Sequence, residues 1–176
     1  EYCKQNGVHI YRRKSGGGCI YADLGCMQFS YISFAENVNT AFVEYMQGIA
    51  NVLRSLDIDA SLSGRNDILV EGKKVAGSAF YKLKGRSVLH NSLLFSTQLE
   101  HLSNALTPGK EKLQSKGVAS VSQRVTNVGN FTDLDIEPFM AYVRKYMCGD
   151  EVLELTADDM REIEKIEIEL ASDDFV

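Results

Sequence analysis

The chain has 176 residues, 44% of them hydrophobic and 24% charged, and contains no run of 18 consecutive apolar residues. That length suits one domain with a real hydrophobic core, and the composition excludes both a disordered chain and a membrane-spanning helix. Nineteen basic against 24 acidic side chains leave a net charge of −5, which excludes general nucleic-acid binding, because that needs a basic excess to displace counterions. The acidity belongs to the tail: residues 1–149 hold 17 Lys+Arg and 13 Asp+Glu, whereas residues 150–176 hold 2 and 11. Cys3, Cys19, Cys26 and Cys148 form no CxxC pair. They are read as reduced thiols of a cytoplasmic protein, without disulfides or zinc. The chain starts at Glu1 and not at Met, directly in a structured-looking segment, which reads as a fragment or a processed protein.

In chain order, residues 8–11 carry β-favouring types and lead through Arg12-Arg13-Lys14 and Ser15-Gly16-Gly17-Gly18 into a second β-rich stretch at 19–24. Residues 27–34 are predicted as a third strand, apolar on both faces and therefore central. From Asn39 the period changes: Phe42, Met46, Ile49, Leu53 and Leu56 form the buried stripe of a helix, with Asn39 or Thr40 as its cap. Strands at 67–71, 74–84 and 87–96 follow, joined by turns at Glu71-Gly72-Lys73 and Lys84-Gly85-Arg86, which predicts three consecutive antiparallel strands. Residues 110–128 are irregular with a short helix. Pro138 and Gly149 bound a helix that buries Phe139, Tyr142, Val143, Tyr146 and Met147. Thr156 and Asp159 make an acidic capping box for a last helix, whose Met160, Ile163, Ile166 and Leu170 face inward. The sum is an α+β fold, a mixed and largely antiparallel sheet flanked by helices.

Two constellations carry chemistry. The first is Arg12-Arg13-Lys14-Ser15-Gly16-Gly17-Gly18. Successive glycines let backbone N–H groups approach an anion while guanidinium and ammonium groups add charge-assisted hydrogen bonds. A flexible hairpin loop with a solvated basic entrance fits the same residues. The second is Gly64-Arg65-Asn66-Asp67 followed by Gly72-Lys73-Lys74-Val75-Ala76-Gly77-Ser78-Ala79. A strand starting at Asp67 and one returning from Lys74 bring a carboxylate and an ammonium together on adjoining strands, with Gly77 leaving room for a ligand. A plain hairpin with a type I′ turn and surface lysines is the alternative. Lys112, Lys116, Ser120, Arg124 and Asn127 could line a polar wall or be simply solvated. His9 and His101 have no metal-ligand spacing, and no Ser-His-Asp set can be assembled.

These segments, taken together with His90-Asn91-Ser92-Leu93-Leu94 and Lys116-Gly117-Val118-Ala119-Ser120-Val121-Ser122-Gln123-Arg124-Val125, resemble the lipoate-protein ligase A and lipoyltransferase family. The resemblance implies a fold like the catalytic domains of biotin-protein ligases and class II aminoacyl-tRNA synthetases. It also implies a two-step reaction, in which ATP and lipoate give lipoyl-adenylate and a lysine of an acceptor lipoyl domain then attacks it. By motif position, Lys74 contacts the lipoyl carbonyl and the α-phosphate. Arg12, Ser15, Gly16, Gly17 and Gly18 line the lipoyl and phosphate side, and Asp23, Gly77, Ser78 and Ala79 also belong to the binding set. Asn66 and Asp67 serve the nucleotide and Mg²⁺, Asp67 as the metal ligand, and His90 shapes the wall near the substrate. The implied acceptors are lipoyl domains of 2-oxoacid dehydrogenase E2 subunits and the glycine cleavage H protein, with no nucleic acid and no membrane as partner.

Against the family pattern, Cys26 stands for Asn, Ala76 for Ser, and Leu89-His90-Asn91-Ser92 for His-His-Gly-Thr. Each change removes polarity expected near the nucleotide or substrate. Family members also carry several dozen residues before the arginine and triglycine loop, so residues 1–176 are read as an incomplete catalytic domain. An ATP-independent transferase using preformed lipoyl-adenylate, and a non-catalytic binding domain on the same fold, are the rival readings. A thioester-forming relative would need a cysteine before the lysine motif, and residues 62–77 contain none.

Overall fold

The computed structural model describes residues 1–64, 66–106, 124–172 and 175. It divides into two compact units, Gly16–Gly149 and a smaller one made of Glu1–Ser15 and Asp150–Val176.

The larger unit is built on five antiparallel strands, β1 (Cys26–Ser33), β2 (Ala60–Ser63), β3 (Asp67–Val70), β4 (Lys73–Leu83) and β5 (Arg86–Leu94), in the order β1-β5-β4-β3-β2. The β3–β4 turn has φ of +50° at Glu71 and +73° at Gly72, the paired left-handed geometry of a type I′ hairpin whose twist matches its strands. Helix α2 (Val38–Arg54) covers one face of the sheet, burying Phe42, Met46, Ile49 and Leu53 at the predicted period along with Val38, Ala41, Tyr45, Ala50 and Val52. Its cap is Asn37, two residues before the predicted Asn39: the Asn37 side chain accepts from the N–H groups of Asn39 and Thr40 at 3.1 and 3.3 Å. Beneath it the sheet contributes Met27, Ile68, Val70, Ala76, Leu89 and Leu93 to the same core. Helix α3 (Leu99–Ala105) and a 3₁₀ turn (Val128–Phe131) lead to α4 (Ile136–Cys148), which docks through Phe139 and Val143. The Phe139 ring meets Phe95 at 4.8 Å between centroids.

The differences from the sequence expectation have physical causes. Strand β1 lies at the sheet edge and not in the middle, and Tyr31 and Ile32 are half exposed there. Residues 8–11 and 19–24 join no ladder among the described residues, because β-favouring types make a strand only where a partner is available. Ala60–Ser63 pairs with β3 despite its two serines, since register with a neighbour outweighs weak propensity. In α4 only Phe139 and Val143 are fully buried, and Tyr146 and Met147 are exposed. Most of the irregular stretch expected at 110–128 lies outside the described residues.

In the smaller unit, α1 (Tyr2–Gln5) is a single turn and α5 (Ala157–Leu170) opens with the predicted capping box, Thr156 and Asp159 each bonding the other's backbone. Lys14 pairs with Glu169 at 3.0 Å, and Arg12 Nε donates to the carbonyl of Phe175 at 3.1 Å. The stripe of Met160, Ile163 and Ile166, expected to face inward, is 41–49% exposed. So few residues cannot bury a whole helical face. Among the described residues no helix is long and apolar enough to cross a membrane.

The fully buried Phe139 ties α4 to the strand end at Phe95. Phe139→Ala is expected to cost about 3–5 kcal/mol of unfolding free energy, read as a lower urea midpoint with unchanged slope.

Candidate active site

Alternation along β4 fails at one place. Ile68 pairs with Ala76 but Leu69 pairs with Lys74, so Val75 is an extra residue and β4 carries a bulge there. Val75 and Ala76 are consequently both buried, at 0% and 1% exposure. Without the bulge, Lys74 would share the core face of Ala76 and Ser78. With it, Lys74 stands on the open face of the sheet beside Leu69, Asp67 and Gly77. Its Nζ lies 2.7 Å from Asp67 Oδ1, both side chains being a little over one-third exposed. The strand is held from the other side too, since the Lys74 carbonyl accepts from Thr126 N–H at 3.0 Å and Lys74 bridges to Val125.

Around this ion pair lies a cavity of about 470 Å³. Ile20, Leu69, Leu94, Leu102, Leu106 and Val125 give it an apolar wall, whereas Lys74, Arg124, Asp67 and Ser92 supply polar groups. Two cations against one carboxylate suit an anionic group with an apolar extension. Cys19, Ile20 and Tyr21, which directly follow the triglycine, form another part of the wall. A larger cleft of about 930 Å³ runs along the outer edge of β1 between α2 and α4, but its lining is mostly apolar and sets Glu44 and Glu137 against Arg144. It lacks the cation excess that a phosphate would need, so the chemistry is assigned to the smaller cavity.

Residues 1–148 match the lipoyl protein ligase A/B catalytic domain family. The chain belongs to that family. It is 36% identical over 150 residues to the lipoate-protein ligase LplJ of Bacillus subtilis, covering 84% of this chain and 45% of LplJ. Among solved structures, the bipartite lipoate protein ligase of Thermoplasma acidophilum, studied with its E2 lipoyl domain, superposes with a TM-score of 0.85 at 28% identity over 99% of this chain and 72% of that one. A lipoate-protein ligase A bound with ATP gives 0.78 at 27% identity over 94% and 70%. The biotin protein ligase of Aquifex aeolicus, at 16% identity, 80% and 55% coverage and a TM-score of 0.50, shares the fold, as the α+β expectation required. The chain spans about half the length of the curated relatives it matches.

Within this lipoyl ligase domain the structure brings together part of the predicted set. Lys74, Asp67 and Gly77 are in mutual contact range on the open face. Ala79 and His90 pair with each other across β4 and β5, in the same alternation as Gly77 and Ser92, so they extend that face. Gly17 has φ of +106°, a conformation that favours glycine, and a Cβ at Gly16 or Gly18 would meet nothing within 4 Å, leaving open space above the loop. Arg12 and Ser15 belong to the smaller unit.

Other predicted residues make structural contacts. Ser78 is 3% exposed and its hydroxyl accepts from Asn91 Nδ2 at 2.9 Å in the core, because its register position puts it on the helix side of the sheet. Asn66 exchanges hydrogen bonds with the Ser78 backbone, its Nδ2 donating at 2.9 Å and its carbonyl accepting at 2.8 Å. Asp23 accepts from Gly25 N–H and Gln98 N–H, both at 2.9 Å, and so ties the segment that follows the triglycine to the start of α3. Asp67, expected to hold Mg²⁺, is engaged by Lys74, and the described residues contain no group of three metal-ligating side chains. Lys112, Lys116 and Ser120 lie outside the described residues. Arg124 lines the cavity, while Asn127 clamps the Thr97 backbone, its Nδ2 donating to the carbonyl at 2.9 Å and its Oδ1 accepting from the N–H at 3.1 Å.

Two supporting residues escaped the sequence reading. A Cβ at Gly25 would sit 2.4 Å from the Ser96 backbone, and one at Gly129 2.8 Å from the Phe95 carbonyl. Close backbone approach of this kind leaves no signal beyond the glycine itself. Cys26 lines the larger cleft and pairs across the ladder with Leu94, a wall residue of the smaller cavity. Burial, reinforced by the nearby Asp23 carboxylate, pushes its thiol up to about 11, which makes it a poor nucleophile at neutral pH. Its alkylation by iodoacetamide, followed by site-resolved mass spectrometry, is expected to rise about tenfold per pH unit from pH 7 and to level only near pH 11; a plateau by pH 9 would contradict this.

Proposed function

We propose that this domain belongs to an ATP-dependent lipoate-protein ligase, which activates lipoate as lipoyl-adenylate and transfers the lipoyl group to a lysine of an acceptor lipoyl domain. The observation that carries the reading is the Lys74 ammonium at the polar end of a cavity whose remaining wall is apolar. An apolar acyl chain with a carboxylate at its end matches that division, and the ATP-bound ligase structure, with a 25% identical solved structure in complex with lipoate, supports the two substrates.

In the first step the lipoate carboxylate attacks the α-phosphorus of ATP, and the bond to pyrophosphate breaks. Lys74 has three N–H donors, so it can keep Asp67 and still donate to an α-phosphate oxygen and to the acyl oxygen as negative charge builds there. Arg124 adds a second cation on the same wall. Mg²⁺ accompanies the nucleotide as part of the substrate, and Asp67 is the single described wall carboxylate that could add a ligand to it. In the second step the acceptor amine attacks the acyl carbonyl, the carbon–oxygen bond to AMP breaks, and the amine loses its proton. The proposed acceptors are lipoyl domains, the E2 type by analogy with the archaeal relative, together with the H protein of glycine cleavage that the family resemblance implies. The reaction is assigned to the cytoplasm, where the four free cysteines stay reduced. Direct acylation of Cys26 is disfavoured by its raised pKa.

A lipoate-dependent exchange of labelled pyrophosphate into ATP tests activation. Wild-type exchange is expected, with a loss of about 10²–10³-fold in Lys74→Ala. Transfer from added lipoyl-adenylate without any exchange would instead identify an ATP-independent transferase, and unchanged lipoylation in Lys74→Ala would remove the catalytic assignment.

A further inference from the structure

Gly77 stands directly opposite Asp67 on β3 and Ser92 on β5, in the middle of the open face. Its φ is not among the positive values of the chain, so the backbone at this position can be adopted by any L-residue. No neighbouring backbone excludes a side chain either. A Cβ built at Gly77 meets Lys74 Nζ at 2.8 Å and Lys74 Cε at 3.0 Å, and next Asp67 Oδ1 at 3.9 Å. What fills the space above Gly77 is the end of the Lys74 side chain. From its bulged position three residues earlier on the same strand, Lys74 runs back over Gly77 to reach Asp67.

We propose that Gly77 is a positioning residue for Lys74: the missing side chain is the slot through which the ammonium reaches Asp67 and is aimed at the reacting phosphate and acyl oxygens. The proposal rests on the role given to Lys74 above. It changes the meaning of the glycine, which the sequence reading assigned to ligand space. A methyl group at this site pushes away the flexible end of a lysine and leaves the main chain where it is. The fold therefore tolerates Gly77→Ala while the amine loses its place. Asp67 completes the arrangement as the carboxylate that stops the displaced amine from being one rotamer among many.

The test measures binding of a non-hydrolysable lipoyl-adenylate analogue that keeps the α-phosphate but has a methylene in place of the anhydride carbonyl. Titration calorimetry is run on the wild-type chain, Gly77→Ala, Lys74→Ala and the double variant, with melting temperatures recorded for all four. Loss of a charge-assisted hydrogen bond predicts roughly 10- to 100-fold weaker binding in Lys74→Ala and a loss of similar size in Gly77→Ala. The double variant is expected to bind no more weakly than Lys74→Ala alone, since Gly77 acts only through that lysine. The melting temperature of Gly77→Ala should be unchanged or slightly raised. Equal losses from Gly77→Ala with and without Lys74 would mean direct crowding of the ligand and overturn the proposal. So would wild-type affinity in Gly77→Ala, or a Gly77→Ala chain that fails to fold, because the backbone was argued to accept alanine. Wild-type affinity in Lys74→Ala would instead remove the functional reading, and the positioning role with it.

Discussion

The contact between Lys74 and Asp67 is too exposed to matter for stability. A half-buried pair of this kind contributes no more than about 1 kcal/mol once solvent screening and side-chain ordering are counted. Yet a bulge, a glycine slot and a backbone anchor at Thr126 all converge on it. That concentration of geometric devices on a weak interaction marks it as a placement of charge. The amine is held without being buried, so it stays open to a ligand on the face away from Asp67.

Stability comes from the opposite side of the same strands. Directly behind the ion pair, Ile68, Val75, Ala76 and Leu93 are all at most 1% exposed, packed beneath a helix that buries nine residues. A close-packed interior deforms little, so the bulge at Val75 holds one conformation and the lysine above it inherits that fixity. The cavity walls are fastened separately. Gly25 accepts two backbone hydrogen bonds from Phe95 and Ser96, Gly129 bonds the Phe95 carbonyl, and Asn127 clamps Thr97. Three segments distant in sequence thus meet at the end of β5, and each brings wall residues to the cavity through main-chain contacts.

Features that depend on local periodicity were legible in the sequence. The stripe of α2, the β4 and β5 hairpin, the capping box of α5 and the meeting of Asp67 with Lys74 all follow from spacing within a few tens of residues. Features that depend on which partner lies alongside were not. The edge position of β1 requires the strand order, and whether residues 19–24 pair requires knowing their neighbours, none of which is a ladder partner among the described residues. The bulge is the sharpest case. Strict alternation from Gly77 would have sent Lys74 into the core and Val75 to the open face, and one inserted residue reverses both. Two adjacent apolar residues, Val75 and Ala76, next to a lysine were its only trace.

The same parity argument reassigns the positions at which this chain departs from the family pattern. Ala76 and Leu89 lie in the core at 1% and 0% exposure, and Asn91 is buried against Ser78 on that side of the sheet. At Leu89 and Asn91 polarity can act on a ligand only through the packing of the strands, and the Asn91 to Ser78 hydrogen bond supplies an internal partner there, whereas Ala76 also borders the smaller cavity. Cys26 opens toward the cleft along β1. None of these changes alters the charge that faces Lys74. Under the proposed function, discrimination between acyl chains falls to the volume enclosed by Leu69, Leu94, Leu102, Leu106 and Val125, where one methylene is worth about 1–3 kcal/mol. A wall of that kind measures length and bulk, and on the same proposal it leaves the recognition of the carboxylate to Lys74.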